Sequence, residues 1–259
     1  MTASQINVTR PQVRPWDVVT TLADFAIVTY AVEVAALARL LPLGVTPDVR
    51  TLDDGREVAM VSAVPFRDLD FRFGIAPWWR FRMGQTNYRA YVLVNGQPCV
   101  WFFGTSLTRP FVTLPRKLWR LPWHAAYMRF DVRWEGDALA QYSFHTESPW
   151  APCELELTNS PDAMGRLDGF ASEAETLHIL THPFIGHYHR LDGARGTYSV
   201  WHAPLSLQRA VVQHARFALF ETLGLTVPGQ APVSALVQRE TEFVIQLPPQ
   251  RYPAHGAVR

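Results

Sequence analysis

Asn95-Gly96 stands between two apolar runs, residues 88–94 and 99–106, and this is the strongest short-range hairpin signal in the chain. Gln97-Pro98 follows directly, so a loop longer than two residues is expected. Other turn signals recur at short intervals. Asp53-Asp54-Gly55 precedes the strand-like run 58–66, and Glu135-Gly136-Asp137 joins 127–134 to 138–145, with 153–158 as the next strand. Residues 184–190 and 196–202 form a further hairpin around 191–195, and a last strand, 234–247, ends before Pro248-Pro249. A chain punctuated this way pairs neighbouring strands antiparallel.

Helical patterns are few. After a strand over 25–32, Val34, Leu37 and Leu41 share a helical face until Pro42 stops it. Residues 171–180 form a short helix led by acidic side chains. The longest helical pattern is 206–223, where Val211, Val212, Ala215, Leu219 and Leu223 make an apolar stripe and Gly224 is the stop. Residues 67–84, rich in Arg, Trp and Phe around Pro77-Trp78-Trp79, read as a loop folded over a pocket mouth. The fold class is α+β, mostly antiparallel β, with a sheet that curls into a closed or nearly closed β-barrel carrying a few peripheral helices. No composition break divides it: one domain over 16–250 is expected, with a flexible leader at 1–15 and a tail at 251–259.

Composition narrows the partners. Of the residues 48% are hydrophobic and 18% charged, with a formal net charge of +1, so no global field draws in nucleic acid or an anionic membrane, and a small-molecule ligand is the more natural partner. The most apolar stretch, 25–41, is broken by Glu33 and Arg39 and falls short of a bilayer span. The start of the chain lacks the pattern of a signal peptide. Cys99 and Cys153 sit in strand-like runs and read as reduced core thiols, which fits a cytoplasmic location. No phosphate-cradling loop, nucleophile elbow or paired-cysteine spacing calls for a cofactor or metal. Lys117 is the only lysine, so it and the α-amino group are the only amines available for a Schiff base.

Several runs in order carry a resemblance: Gln85-Thr86-Asn87-Tyr88-Arg89-Ala90-Tyr91-Val92, Pro98-Cys99-Val100-Trp101-Phe102-Phe103, and Leu121-Pro122-Trp123-His124-Ala125-Ala126-Tyr127-Met128. Leu40-Leu41-Pro42 before Asp53-Asp54-Gly55-Arg56, and His202-Ala203-Pro204-Leu205-Ser206-Leu207-Gln208, agree with them. Over residues 16–247 the chain resembles an uncharacterised bacterial family often called YqjF-like, grouped with the acetoacetate decarboxylase-like proteins. The resemblance implies a cone-like antiparallel barrel with an internal cavity. It supplies no activity. In the decarboxylases a Pro precedes two adjacent lysines, one a Schiff-base amine and the other depressing its pKa; here Pro122 is followed by Trp123 and His124, so that mechanism is not expected. The chain also has Gln85 where the YqjF-like family commonly has an acidic residue, and an amide orients a substrate but does not exchange protons with it.

His124, in the place of a catalytic amine, is the candidate acid/base, against the plainer reading of a satisfied buried histidine. Gln85, Asn87 and Arg89 alternate along a strand, so they share one face and form a candidate carboxylate site, against a solvent-facing polar stripe. Trp123 and His202 are candidate ligand contacts, and His145 and Glu147 are further polar groups with no sign of convergence. His182, His187 and His189 lack a third ligand of clear metal geometry. Three functions stand open: a barrel that binds a small organic acid or apolar metabolite through Arg89, Asn87 and the Trp-rich loop; a lyase or hydrolase of small keto or enol acids using His124; and a structural or assembly protein without a ligand. Assembly into a homo-oligomer is open under each.

Overall fold

Asn95 and Gly96 take φ of 52° and 74°, the left-handed pair that a two-residue hairpin turn needs. Val94 therefore pairs directly with Gln97, and the expected longer loop is a tight turn instead. The structure, a computed structural model, describes residues 9–108 and 112–251. Along the chain run β1 (Val18–Val32), α1 (Val34–Ala38), β2 (Val45–Pro47), β3 (Val49–Thr51), β4 (Glu57–Phe73), β5 (Phe81–Val94) and β6 (Gln97–Thr108). There follow α2 (Thr113–Trp119), β7 (Trp123–Glu135), β8 (Ala138–Glu147), β9 (Cys153–Asn159), α3 (Glu173–Thr181), β10 (Ile185–His189), β11 (Arg195–His202), β12 (Gln208–Phe217), α4 (Ala218–Thr222) and β13 (Ser234–Arg251).

The strands close on themselves. Pairing runs β1–β4–β5–β6–β7–β8–β9–β12–β13 and back to β1, a hydrogen-bonded ring of nine strands, and every neighbour is antiparallel except β6–β7. A smaller circuit branches off it: β10 pairs parallel with β6, then with β11, and β11 pairs with β13. The strands β13, β1, β4, β5 and β6 thus form a wall common to both circuits, and β1 and β4 are buried on both faces for most of their length.

Each side of that wall has its own interior. On β5, Tyr88, Ala90, Val92 and Val94 join Trp101, Tyr142, Phe144, Phe217 and Phe220 in the core of the larger ring, and neighbouring residues such as Tyr91 belong to the smaller circuit with Phe25, Phe66 and Phe102. Strict alternation along a strand causes this split. Asp24, with φ 51°, stands where the β1–β4 ladder shifts register between Ala23 and Val28, and this bulge shifts the phase of β1, so Leu22 and Phe25 face the same interior.

Three expectations change. Residues 206–223 are not a helix but β12 followed by the short α4; β12 pairs with β9 over Ala210–Phe217, and that ladder, with β-branched Val211 and Val212, overrides the helical stripe. Residues 67–84 are largely β4 and β5, leaving only 74–80 as a connection in which Trp78 and Trp79 are exposed. β13 continues through Pro248 and Pro249, which sit where its ladder with β11 shifts register, a place that tolerates a residue without an N–H.

Residues 1–8 of the expected leader and 252–259 of the expected tail lie outside the described residues. Nearer the domain, the guanidinium of Arg10 donates to Glu242 at 2.7 Å and that of Arg14 to Asp17. Cys99 and Cys153 are buried free thiols. No helix among the described residues is long and apolar enough to cross a membrane.

Candidate functional site

The smaller circuit holds a cavity. Its walls are mostly apolar, with Phe25, Ile27, Val64, Phe66, Phe102, Phe243 and Ile245, and Gln85, Asn87, Arg89, Trp123 and His202 line the same space. The non-atom space within these walls and the open mouth together is about 1080 Å³. The alternation of β5 delivers Gln85, Asn87 and Arg89 to this side together.

Arg89 is the cation of the site. One terminal nitrogen donates to the Leu180 carbonyl at 2.8 Å and to the Tyr91 hydroxyl at 3.2 Å, while Nε is buried without a partner. Its guanidinium also lies 5.4 Å from the centre of the Tyr91 ring. Beneath it a chain of hydroxyls runs from Tyr91 to Ser62 at 2.9 Å and on to Thr29 at 2.9 Å, which fixes Tyr91 and so the arginine resting on it. Among the described residues no carboxylate forms an ion pair with Arg89. Asn87 accepts from Thr105 Oγ1 and from Gln85 Nε2 at 2.8 and 2.9 Å, so the two amides are held as a unit.

His202 is locked. Its ring nitrogens meet the carbonyl oxygens of Ala203 and Thr181 at 2.7 and 2.8 Å, and its ring stacks on Phe243 with centroids 4.8 Å apart. Burial pushes its pKa down, the two carbonyls act the other way, and the Arg89 charge lowers it further. With both nitrogens occupied, His202 offers a ligand the carbon edge and face of its ring. Trp123 contributes an indole wall, and its carbonyl accepts from Arg116.

His124 is not part of this cavity. It follows Trp123 on β7, so it projects from the opposite face, where its ring stacks on Trp150 at 3.9 Å and 9°. It lies in a separate cleft with Arg116, Lys117 and Pro149. Burial, with the Arg116 charge, lowers its pKa to about 4, so the ring is neutral near pH 7. Lys117 is exposed on α2 beside the same cleft, and no lysine lines the cavity. Trp78 and Trp79 do not reach the cavity either, which removes the Trp-rich loop from the site.

The remaining histidines scatter. His182 packs against His178 and His202 at 4.9 and 6.0 Å between ring centres, His189 sits edge-on to Trp101, and His145 lies with Glu147 and Glu154 on the exposed face of β8 and β9. Among the described residues no three His, Cys, Asp or Glu side chains group as a metal site.

One cavity residue escaped the sequence reading. Asp68, on β4, is 2% exposed and lines the space; Thr20 Oγ1 donates to its Oδ1 at 2.8 Å, and its Oδ2 has no partner. Burial above all raises its pKa to about 7. The signal was available: Val64, Phe66 and Asp68 alternate, so a strand continued through residue 68 puts the acid on the same face as the two apolar side chains.

The model of a family described as an uncharacterized conserved protein, DUF2071, matches residues 19–241. The chain belongs to the DUF2071 family. Among curated proteins none matches its sequence. Solved structures similar to this DUF2071 member include the enduracididine biosynthesis enzyme MppR complexed with the condensation product of pyruvate and imidazole 4-carboxaldehyde, at 11% identity and a TM-score of 0.57, covering 93% of this chain and 90% of that one. An acetoacetate decarboxylase-like enzyme from Sphingomonas wittichii RW1 matches at 10% identity and a TM-score of 0.57, over 93% and 94% of the two chains. Acetoacetate decarboxylase from Legionella pneumophila matches at 11% identity and a TM-score of 0.55, over 96% and 94%. At these identities the likeness is one of fold, and it places this DUF2071 chain among the acetoacetate decarboxylase-like architectures.

Proposed function

We propose that the protein binds an organic acid in the cavity of the smaller circuit, with Arg89 receiving the carboxylate. The observation that carries this reading is a guanidinium in a largely apolar cavity, with a buried Nε lacking a partner and no carboxylate paired to it among the described residues. A half-buried cation whose Nε is buried without a partner carries a desolvation cost, and a fork of N–H donors matches a carboxylate in charge and geometry. Tyr91 and the Leu180 carbonyl hold the fork in place before a ligand arrives, which lowers the ordering cost of binding. One fold neighbour supports the same class of ligand, since the enzyme MppR is described both in complex with pyruvate and with a condensation product of pyruvate.

Amine chemistry has no place in this reading. The one lysine lies outside the cavity, and an arginine stays protonated and is a poor nucleophile. Nor does His124 serve the cavity, because it faces a different cleft.

Isothermal titration with a panel of organic acids tests the proposal. At least one carboxylate is expected to bind, with affinity falling roughly tenfold or more in Arg89→Ala and recovering only in part in Arg89→Lys, which keeps the charge without the fork. A panel that does not bind, or binding indifferent to Arg89→Ala, would end it.

A further inference from the structure

We infer that the cavity takes one elongated ligand, a carboxylate at the Arg89 end whose far end carries a carbonyl oxygen that accepts a hydrogen bond from Asp68. The inference rests on the carboxylate reading above and adds the length of the ligand and the chemistry of its second pole.

The first argument is position. In the β4–β5 ladder Arg89 pairs with Ser62 and Asp68 with Met83, so the two polar residues stand at opposite ends of one face. At ~3.3 Å per residue the separation along the wall is about 20 Å before the curl of the sheet shortens it. Arg89 reaches away from Asp68, towards Tyr91 and Leu180. Between the poles the wall is Val64 and Phe66 on β4 with Asn87 and Gln85 paired beside them on β5, faced by Phe25 and Phe243. A ligand of pyruvate size touches one pole only. An extended chain advances roughly 1.2 Å per bond, so about ten to fourteen bonded atoms reach from one pole to the other.

The second argument is the protonation of Asp68. The Thr20 hydroxyl donates to Oδ1, which makes Oδ1 the acceptor of the pair and leaves Oδ2 to carry the proton. Oδ2 is buried, faces no protein partner and belongs to a side chain that lines the cavity. A buried O–H without an acceptor is a cost that a ligand oxygen removes. The charged groups on the surrounding elements favour the neutral form or are occupied elsewhere. Asp70 raises the Asp68 pKa and is itself paired with Arg72, Asp17 is held by Arg14, and Arg82 donates to the Leu69 carbonyl. The missing partner is therefore a hydrogen-bond acceptor, a role the carbonyl oxygen of a ketone, ester or amide fills.

Calorimetry on the full chain with three probes decides it: butanoate, dodecanoate, and the methyl ketone of dodecanoate length with its carbonyl beside the terminal methyl. At about pH 6 the keto acid is expected to bind roughly tenfold tighter than dodecanoate, and dodecanoate tighter than butanoate. At about pH 8.5 the keto preference is expected to collapse, because an ionised Asp68 no longer donates. Asp68→Leu should erase the preference while still binding dodecanoate, which shows that the cavity is intact, and Asp68→Asn, which keeps an N–H donor, should retain it at both pH values. Equal affinity for the two long acids at the lower pH, a keto preference that survives Asp68→Leu, or butanoate binding as tightly as dodecanoate overturns the inference alone. If no probe binds, or all bind Arg89→Ala as well as the parent, the carboxylate reading falls and this inference with it.

Discussion

The indole N–H of Trp134 donates to Oδ1 of Asp24 at 2.8 Å, joining β7 to β1, two strands that share no ladder. Asp24 is 3% exposed, and its remaining groups are also engaged: Oδ2 accepts from Arg67 and its backbone carbonyl from the Tyr142 hydroxyl. The same residue makes the bulge that turns Phe25 towards the cavity side, so this buried carboxylate stabilises both the larger ring and the phase of β1.

Asp24→Ala is expected to destabilise the protein by about 2 kcal/mol or more, because it strands the Trp134 N–H and places a non-glycine residue without a local hydrogen bond at positive φ. Asp24→Asn should be milder, since asparagine tolerates that backbone and keeps an acceptor for Trp134. Urea unfolding monitored by Trp fluorescence measures both, and an Ala variant as stable as the parent would contradict the assignment.

Asp68 makes stability depend on pH in an unusual direction. The folded carboxyl titrates at about 7 against a reference value of 3.8, so between these values the folded state keeps a proton that the unfolded chain has released. Stability therefore falls as pH rises from about 4 to about 7, then levels off. Asp68→Asn should match the parent near pH 4 and exceed it near pH 8 by up to a few kcal/mol. Thermal melts across that range should show a gap that widens with pH; a constant gap would contradict the titration.

His124 behaves oppositely. Its folded pKa lies below the reference value, so the unfolded chain takes up a proton first and the protein loses stability as pH drops from about 6.5 towards about 4. His124→Gln should flatten this acid limb. The same variant should leave binding of the acid identified by titration unchanged, whereas a loss of binding comparable to that of Arg89→Ala would return His124 to the site.

Both cysteines should resist alkylation in the native state. Cys153 is buried and its thiol is pushed up to about 11, and burial raises Cys99 as well, so little thiolate is present near neutral pH. Iodoacetamide with mass detection should modify neither until denaturant is added; rapid native labelling would show that these strands open.

Much of the strand order was legible from turn chemistry, because Asn95-Gly96 and Glu135-Gly136-Asp137 act locally. The errors cluster where the ladder is interrupted. In β12 the register shifts between Val212 and His214, and the extra residue brings Val212 and Ala215 to the same side, a three-residue spacing that imitates a helix. Leu22 and Phe25 carry the same disguise in β1. The triad Gln85, Asn87 and Arg89 was readable because β5 pairs with β4 in unbroken register from the Val61/Ala90 pair to the Asp68/Met83 pair. His124 was misplaced through its position after Pro122, although period-two alternation already sets it opposite Trp123. Asp68 was missed because its segment, crowded with Arg and Trp beyond it, reads as irregular, although the alternation of Val64, Phe66 and Asp68 already carries β4 past Phe66.

The wall shared by the two circuits has a consequence for change over time. On β5, Gln85, Asn87 and Arg89 look into one compartment and Tyr88, Ala90 and Val92 into the other. Exchanging side chains in the first set can refit the ligand without disturbing the aromatic packing behind it. A single inserted residue in that strand would transpose both sets at once, so this architecture admits new specificities by substitution and resists them by insertion.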